Sequence, residues 1–411
     1  MNNDYDLLII GGGAAGFFAA ARCGEGDPSL RVAILERGKR VLEKVRVSGG
    51  GRCNVTHSCF DPRELIEFYP RGGRELLGPF HHWGPAETID WFEARGVTLK
   101  TESDGRMFPM SDDSETIIAC LQEAIEKVET EVILGTVVEG IERMDGGYLI
   151  RSKDGKRYAA RSVLVASGGL REGALMTALK YLGHRIERLA PSLFTFHVKD
   201  QRIDGLAGLS VAKVSVSVAG QKLETSGPIL VTHWGVSGPA VLKLSSWGAR
   251  WMQEESYRFD IVINWLGGKK LDVVEEELAR QRQSRARRSV VADCPYSLPR
   301  RLWERLVEGA GIGDKTTWAQ LSSSSRRQLA SELVAGRFQV SGKSMNKDEF
   351  VTCGGVSLRD VDFRSMQSKR SPGLYFAGEV LDLDALTGGF NFQAAWTTAT
   401  LAARSIGQSV A

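Results

Sequence analysis

Residues 4–37 read DYDLLIIGGGAAGFFAAARCGEGDPSLRVAILER, and this stretch decides the fold. An apolar run at 7–10 leads into a glycine-rich turn and then into an alanine- and phenylalanine-rich stretch with helical spacing. A second apolar run at 32–35 ends at the acid Glu36. The pattern predicts a strand, a tight turn, a helix and a second strand, which is the unit that binds dinucleotides.

The turn has the spacing G-x-G-x-x-G at Gly11, Gly13 and Gly16. The tight turn needs the first glycine, close approach of a pyrophosphate needs the second, and packing of the helix on the strand needs the third. The pyrophosphate then lies against the free N–H groups at the helix N-terminus. Glu36 is placed to accept hydrogen bonds from a ribose. We therefore expect a bound dinucleotide.

Composition narrows the class of protein. The 411 residues exceed one ordinary core, so two or three domains are expected. The net charge of +3 indicates no particular partner, and no apolar run has the length of a transmembrane helix, so no membrane association is expected. The first predicted strand begins within a few residues of Met1, so no signal peptide is expected. Six scattered cysteines without a C-x-x-C predict a reduced, cytoplasmic protein.

The order of patterns along the chain predicts an interrupted domain. Residues 1–190 and 338–411 are expected to form two segments of one α/β, Rossmann-like domain, with a parallel sheet, helices and an antiparallel flap. Residues 191–337 are expected to form an insert. Its first part, 191–267, has alternating β-branched runs typical of a β-barrel-like unit, and 268–337 is predicted to be a small unit of charged helices.

Two further glycine-rich stretches are candidate cofactor contacts. Residues 48–54, SGGGRCN, let the backbone approach a flat ring, and Arg52 is a candidate to neutralise an anion or to act in catalysis. Near the C-terminus, Gly378 and Glu379 follow a predicted strand, and the stretch at 387–393, TGGFNFQ, opens a predicted helix. The positive end of that helix dipole would stabilise negative charge on a cofactor.

Four further features of the sequence give weaker indications of function. His233 is a weak catalytic candidate, since a lone histidine is more often structural. Cys53, His57 and Cys59 lack a fourth ligand at a usual spacing, so no metal site is expected. The arginines of 280–288 are interpreted as a solvated helix face rather than a nucleic-acid or lipid surface, because aromatic residues are not interleaved with them. The sequence has no second G-x-G-x-x-G followed by an acid, so no dedicated nicotinamide domain is expected.

Several motifs together resemble one family. SGGGRCN at 48–54, THWGVSGPA at 232–240, TCGGV at 352–356 and GLYFAGEVLDLDALTGGFNFQAA at 373–395 are similar to the bacterial BaiN/YhiN-type NAD(P)/FAD-dependent oxidoreductases. The resemblance implies non-covalently bound FAD. It places cofactor contacts at Gly11, Gly13, Ala14, Ala15, Gly16, Glu36, Arg37, Ser48, Gly49, Gly51, Arg52, Cys53, Asn54, Val138, Gly168, Gly378, Glu379, Gly388, Gly389, Phe390, Asn391, Phe392 and Gln393.

The expected activity is hydride transfer between flavin N5 and a small or medium organic substrate, by a C=C or C=N reductase or dehydrogenase. NAD(P)H is the expected transient electron donor. An amine oxidase that uses oxygen remains an alternative within the enzyme class. A flavin-dependent RNA-modifying protein and a non-catalytic FAD-bound scaffold are alternatives of other classes, with nucleic acid disfavoured as a partner. No feature of the sequence indicates an oligomeric state.

Overall fold

The computed structural model describes residues 4–344 and 351–410. The chain divides into two compact units, one formed by 1–190 with 351–411 and the other by 191–350. Within the described part of the chain, no helix combines the length and the apolar character needed to cross a bilayer.

Strands and helices follow one another in both units. The strands are β1 Tyr5–Ile10, β2 Val32–Leu35, β3 Thr56–His57, β4 Leu99–Thr101, β5 Arg106–Pro109, β6 Glu131–Ile133, β7 Val138–Met144, β8 Gly147–Ser152, β9 Arg157–Val165, β10 Ala190–Ser192, β11 Thr195–Val198, β12 Ser210–Val218, β13 Glu224–Thr232, β14 Gly235–Ser237, β15 Phe259–Asn264, β16 Gly336–Ser344, β17 Val351–Cys353, β18 Val361–Asp362, β19 Gln367–Ser368 and β20 Leu374–Phe376. The helices are α1 Ala14–Gly26, α2 Glu43–Gly51, α3 Pro62–Leu65, α4 Gly73–His82, α5 Pro85–Glu93, α6 Ser114–Glu126, α7 Ala174–Tyr181, α8 Pro239–Trp247, α9 Ala249–Glu254, α10 Leu271–Ser284, α11 Arg300–Gly309, α12 Ser323–Ala335 and α13 Phe390–Val410.

The first unit is built on a nine-stranded sheet with the path β18-β19-β20-β9-β1-β2-β6. β1 runs parallel to β2 and β9, and β20 runs parallel to β9. β8 pairs antiparallel with β9 and with β7, which gives the predicted flap. All four residues of β2 and the last four of β1 are buried, as expected for parallel strands covered on both faces.

Helices α1 and α13 pack together although they come from opposite ends of the chain. Phe18 of α1 lies 5.0 Å from the ring of Trp396 in α13 and 4.6 Å from the ring of Trp91 in α5. All three side chains are nearly or fully buried. This aromatic core brings the first and last sequence motifs to one side of the sheet.

The second unit contains a closed barrel with the strand order β11-β14-β13-β12-β15-β16. Alternate residues of β15 and β16 are buried, as expected for barrel strands with one face on the core. Helices α10, α11 and α12 share one apolar core with the barrel. The core of the helical part includes Val274, Leu278, Trp303, Leu306, Trp318, Leu329 and Leu333. The predicted fold class is confirmed.

Two predicted limits in the insert are wrong. The second segment of the first domain was expected to begin at 338, but β16 pairs antiparallel with β11 and β15 and completes the barrel. The burial of Phe338 and Val340 between exposed neighbours is a strand pattern that outweighs the change in composition near that point. The charged helix expected through residue 288 is also too long, because α10 ends at Ser284.

Candidate cofactor-binding site

The three glycines of the first turn have different surroundings. Gly11 has φ +116°, and a Cβ there would lie 2.4 Å from the Ala166 carbonyl oxygen. A Cβ on Gly16 would lie 2.0 Å from the Gly11 carbonyl oxygen, so packing within the protein requires both glycines. A Cβ on Gly13 would meet nothing within 4 Å. Contacts within the protein therefore do not require a glycine at position 13, in contrast to positions 11 and 16.

The open space at Gly13 faces the beginning of α1. Gly13 is the N-cap, and the first intrahelical bond runs from the Phe17 N–H to the Gly13 carbonyl at 3.0 Å. The N–H groups of Ala14, Ala15 and Gly16 precede that bond and have no partner within the helix. Free N–H groups beside open space at the positive end of a helix dipole suit a diphosphate.

The carboxylate of Glu36 is fixed beside this turn. It accepts the Gly12 N–H at 2.7 Å and the Gly38 N–H at 2.6 Å, one on each oxygen. Each oxygen has a second lone pair with which to accept a hydroxyl. Arg37 is exposed, and Val138 begins β7, two residues after Thr136, whose N–H donates to the Glu36 carbonyl at 2.8 Å.

The second glycine-rich stretch interrupts α2 instead of forming a separate loop. Ser48 is extended, and Gly49, Gly50 and Gly51 all have positive φ angles, of +59°, +71° and +86°. Cys53 is fully buried with φ +59°, and burial raises the pKa of its thiol to about 12. Its side chain is therefore a protonated part of the core.

Arg52 is engaged within the protein. Its guanidinium lies 2.7 Å from the Glu102 carboxylate and 3.4 Å from that of Asp112, and it stacks 4.0 Å from the centre of the Phe108 ring. The hydrogen bond to Glu102 is the largest cause raising the pKa of Arg52. These contacts explain Arg52 as a support for the 48–54 stretch, and its catalytic role stays a prediction.

Gly378 lies where the first and last motifs meet. Gly378 has φ +74°. A Cβ added at this residue would lie 3.3 Å from the Ala15 Cβ of α1 and 3.7 Å from the Ala395 Cβ of α13. Its N–H donates to the Thr398 hydroxyl at 2.9 Å. Residues of the first and last motifs therefore lie next to each other in the first unit.

Glu379, next to Gly378, lies close to three further segments of the chain, at Lys44, Thr352 and Gly168. Its two carboxylate oxygens accept the Lys44 ammonium at 2.6 Å and the Thr352 N–H at 2.9 Å. Gly168, with φ +70°, follows β9 and would place a Cβ 3.8 Å from the same carboxylate. Lys44 and Thr352 were not among the predicted cofactor contacts, although Thr352 opens the family-like TCGGV stretch.

The start of α13 is fixed by side chains from 54–56. In the amide orientation that satisfies both of its polar atoms, Asn54 accepts the Gly389 N–H at 2.9 Å and donates to the Thr56 carbonyl at 3.0 Å. Gln393 is buried and bonded to the Thr56 hydroxyl at 2.6 Å. The Gln393 N–H closes the first helical bond, to Gly389 at 2.9 Å. The preceding N–H groups of α13 are thus held in a fixed direction.

Aromatic residues pack on this helix start. The Phe390 ring is buried and stacks 4.2 Å from the Phe68 ring and 4.6 Å from the His57 ring. Burial lowers the pKa of His57, whose Nε2 lies 3.0 Å from the Asp104 carbonyl oxygen. Phe392 is half-buried and stacks 5.7 Å from Trp396.

Residues 68–71 clamp the loop that precedes α13, and the sequence analysis missed them. The Tyr69 hydroxyl donates to the Phe390 carbonyl at 2.6 Å, and the Leu386 N–H donates to the Phe68 carbonyl at 2.9 Å. We call 68–71 the loop clamp. It holds both ends of the turn that contains Gly388 and Gly389.

The loop clamp ends in a buried ion pair. The Arg71 guanidinium binds both carboxylate oxygens of Asp384, whose side chain is fully buried. Asn391 closes the same loop by bonding the Ala385 N–H at 3.0 Å and the Ala385 carbonyl at 3.1 Å. Asp382 and Asp384 alternate with apolar residues at 380–386, and acids in such a run are a sequence signal that suggests a buried partner.

His233 lies in the second unit, exposed at the turn between β13 and β14. Across 4–344 and 351–410, no group of three or more histidine, cysteine or acidic side chains is arranged to hold a metal ion.

The sequence matches the family described as HI0933-like protein Rossmann domain over residues 5–405. The chain belongs to this family. The HI0933-like proteins are FAD-dependent oxidoreductases with a Rossmann-type domain, so the predicted resemblance and the predicted enzyme class are confirmed.

Two curated relatives of this HI0933-like protein are similar along its whole length. Ribosomal RNA dihydrouridine synthase of Escherichia coli K12 is 30% identical over 415 residues, covering 98% of each chain. The 3-dehydro-bile acid delta(4,6)-reductase of Clostridium scindens is 28% identical over 417 residues, covering 97% of this chain and 98% of that protein. Because the Escherichia coli relative is named for an RNA substrate, the expectation that this protein does not bind nucleic acid has no support from the comparisons.

A solved structure shares the fold. The 3-ketosteroid-delta4-(5alpha)-dehydrogenase of Rhodococcus jostii RHA1 superimposes with a TM-score of 0.52 at 14% identity, covering 99% of this chain and 98% of that one. At this identity the likeness concerns the fold alone.

Proposed function

We propose that this protein uses non-covalently bound FAD to reduce a carbon–carbon double bond that is conjugated with a carbonyl group. The observation that carries the FAD site is the open space at Gly13, beside free N–H groups of α1 and the oriented Glu36 carboxylate. The reaction class is supported by the full-length relatives. Dihydrouridine formation and delta(4,6) reduction both add hydrogen to such a double bond.

Different residues of the first unit would bind different parts of FAD. Ala14 and Ala15 would bind the diphosphate through their N–H groups, and Glu36 would accept from a ribose. The N-terminus of α13, with Gly388 and Gly389, would face the flavin and favour negative charge on it by about 0.3–1 kcal/mol. Bound FAD supplies hydride transfer, and the protein supplies position and electrostatics.

NAD(P)H is the proposed electron donor. The sequence contains one dinucleotide fingerprint, which the proposed FAD site uses. Nicotinamide would therefore bind briefly and leave before the second substrate arrives. This order predicts ping-pong kinetics and a weak nicotinamide affinity, in the upper part of the ~1 μM–1 mM range usual for KM.

We infer a uridine base in RNA as the substrate, because the relative at 30% identity is a ribosomal RNA dihydrouridine synthase. A steroid-like enone is the second candidate, supported by the relative at 28% identity. We also propose a cytoplasmic location, which the free cysteines of the described chain support.

Anaerobic stopped-flow absorbance tests the electron supply. We expect the purified protein to be yellow, to release FAD on acid precipitation, and to bleach rapidly with NADH or NADPH. Bleaching by neither nucleotide, with rapid reoxidation in air after chemical reduction, would favour an oxidase instead.

Two substrates then test the reaction. The reduced protein is mixed with unmodified ribosomal RNA or with a steroid dienone, and mass spectrometry measures the gain of two hydrogens. A gain on neither substrate, with a competent flavin, would contradict the proposed reaction.

A further inference from the structure

Arginines concentrate at one edge of the helical part of the insert. Residues 280–288 contain five arginines and no acid, and Arg326 and Arg327 lie near the start of α12. The Arg282 guanidinium donates to the Ala319 carbonyl at 3.3 Å, just before α12, and α10 packs against α12. The end of α10 therefore lies near the residues that precede α12. We call 280–288 with Arg326 and Arg327 the arginine edge.

Acids neutralise little of this charge. Asp293 is shared between Arg285 and Arg288, each at 3.0 Å, and it also accepts the Trp318 indole N–H at 3.2 Å. The other five cations of the edge form no ion pair with a carboxylate in the described chain; they are Arg280, Arg282, Arg287, Arg326 and Arg327. Arg282 and Arg287 are exposed. The edge thus has a net positive charge on its surface.

Helix stability does not explain this arrangement. Arg280 and Arg282 lie at the C-terminal end of α10, where the helix dipole favours cations. Arg326 and Arg327 lie near the N-terminal end of α12, where the dipole disfavours them, and the first turn of α12 has no acid. The like charges of both helices also repel one another. An anion outside the protein would relieve both effects.

We propose that the arginine edge binds the phosphate backbone of RNA. The inference rests on the proposed function for the identity of the RNA as substrate. Guanidinium groups form paired hydrogen bonds with phosphate oxygens, and the exposed residue Ser323 offers a hydroxyl as a second kind of phosphate contact. Such contacts position a strand without selecting its sequence.

A lipid surface fits the edge less well. Binding in a bilayer interface needs aromatic or large apolar side chains beside the cations. Within the described chain, the exposed large hydrophobic residues include none in 280–288 or 316–327. The missing aromatic residues favoured a solvated helix face from the sequence alone, but binding to the phosphate backbone of RNA needs only the charge and the donors that the edge presents.

The test compares two triple variants of the full-length, FAD-loaded protein. R282Q/R287Q/R327Q removes three cations of the edge that have no acid partner. The matched control, R300Q/R305Q/R337Q, removes three exposed arginines of the same insert that pair with Glu304, Glu308 and Asp260. Fluorescence anisotropy measures binding of a labelled single-stranded oligouridylate at several salt concentrations, and phosphatidylserine vesicles provide the lipid arm.

For the edge variant we expect at least tenfold weaker binding at low salt. Three lost phosphate contacts should make the slope of log K against log salt shallower by about 2, at about 0.7 for each contact on a single strand. The control should bind nearly as the parent does. Equal losses in both variants, unaltered binding in the edge variant, or binding of vesicles without binding of RNA would each overturn the proposal.

Failure of RNA binding at the arginine edge can be distinguished from failure of the proposed reaction. Flavin bleaching by NAD(P)H should be the same in both variants. Edge-dependent RNA binding without any dihydrouridine formation by the parent protein would support the edge and contradict the substrate. Dihydrouridine formation at the same rate in the parent and the edge variant, at limiting RNA, would contradict the edge and support the substrate.

Discussion

Arg71 and Asp384 form a two-point ion pair across 313 residues of sequence. Asp384 is fully buried, and the Arg71 side chain is 13% exposed. A buried carboxylate is stable only when its partner is present, so the position of the loop before α13 depends on a residue in the first quarter of the chain. The turn at Gly388 and Gly389 follows directly after this loop, so its position depends on the same ion pair.

Breaking this pair should destabilise the protein strongly. Asp384→Asn removes the charge that the Arg71 guanidinium binds, and breaking a buried ion pair in this way costs about 3–5 kcal/mol. The free energy of unfolding from urea titration measures the loss. Glu142→Gln is the control, because the Glu142–Arg151 pair is about half exposed on both sides and is worth about 1 kcal/mol or less. Equal effects of the two substitutions would contradict this role of the pair.

Gly13 and Gly16 should respond differently to the same substitution. Gly13→Val meets open space at φ −96°, so the apo protein should fold with an unaltered melting temperature but lose FAD binding. Gly16→Val places a Cβ against the Gly11 carbonyl and should prevent folding. Thermal unfolding and flavin fluorescence separate the two outcomes. A Gly13→Val protein with full flavin occupancy would contradict the proposed diphosphate site.

Glu36 should matter for both the turn and the cofactor. Glu36→Gln replaces one acceptor by an NH2 group that faces a backbone N–H, either of Gly12 or of Gly38. We expect FAD binding to weaken by about 1.5–3 kcal/mol, the worth of a hydrogen bond to a charged group. Fluorescence titration of the apo protein measures the change. Arg37→Gln, at the exposed neighbouring position, is the control and should change the affinity less.

The tight turn at Gly11 and the close packing at Gly16 were predictable from sequence because each depends on local geometry. The spacing of three glycines between two apolar runs leaves few other structures. The loop clamp was not predictable in this way. Its contacts join 68–71 to a loop more than 300 residues later, and tertiary packing alone decides which distant residues meet.

The end of the insert shows a different limit. The alternating residues of 336–340 were visible in the sequence, but a strand pattern does not reveal which sheet it joins. Pairing of β16 with β11 closes the barrel, and that choice depends on strands far away in sequence. Arg52 is a similar case. Its motif suggested an anion contact, whereas Glu102 and Asp112, about fifty residues away, already bind its guanidinium.

His184 should make stability depend on pH. The Leu179 carbonyl can only accept, so His184 Nδ1 donates to it at 3.0 Å and Nε2 accepts from the Ser368 hydroxyl at 2.7 Å. This neutral tautomer is satisfied, and burial lowers the pKa of His184 below its usual 6.5. The unfolded chain therefore binds the proton first. The stability that neutral His184 contributes is present above pH 6.5 and is lost as the pH falls toward the lowered pKa of the folded state.

His184→Gln should reduce this dependence. We expect the difference in unfolding free energy between about pH 7.5 and about pH 5.5 to be smaller than in the parent protein, because one group that takes up a proton on unfolding is gone. Urea titrations at both pH values measure it. His82→Gln, the same substitution at an exposed histidine, is the matched control. A larger difference in His184→Gln than in the parent would mean that the histidine is protonated in the folded state, which its bond to the Leu179 carbonyl and its burial oppose.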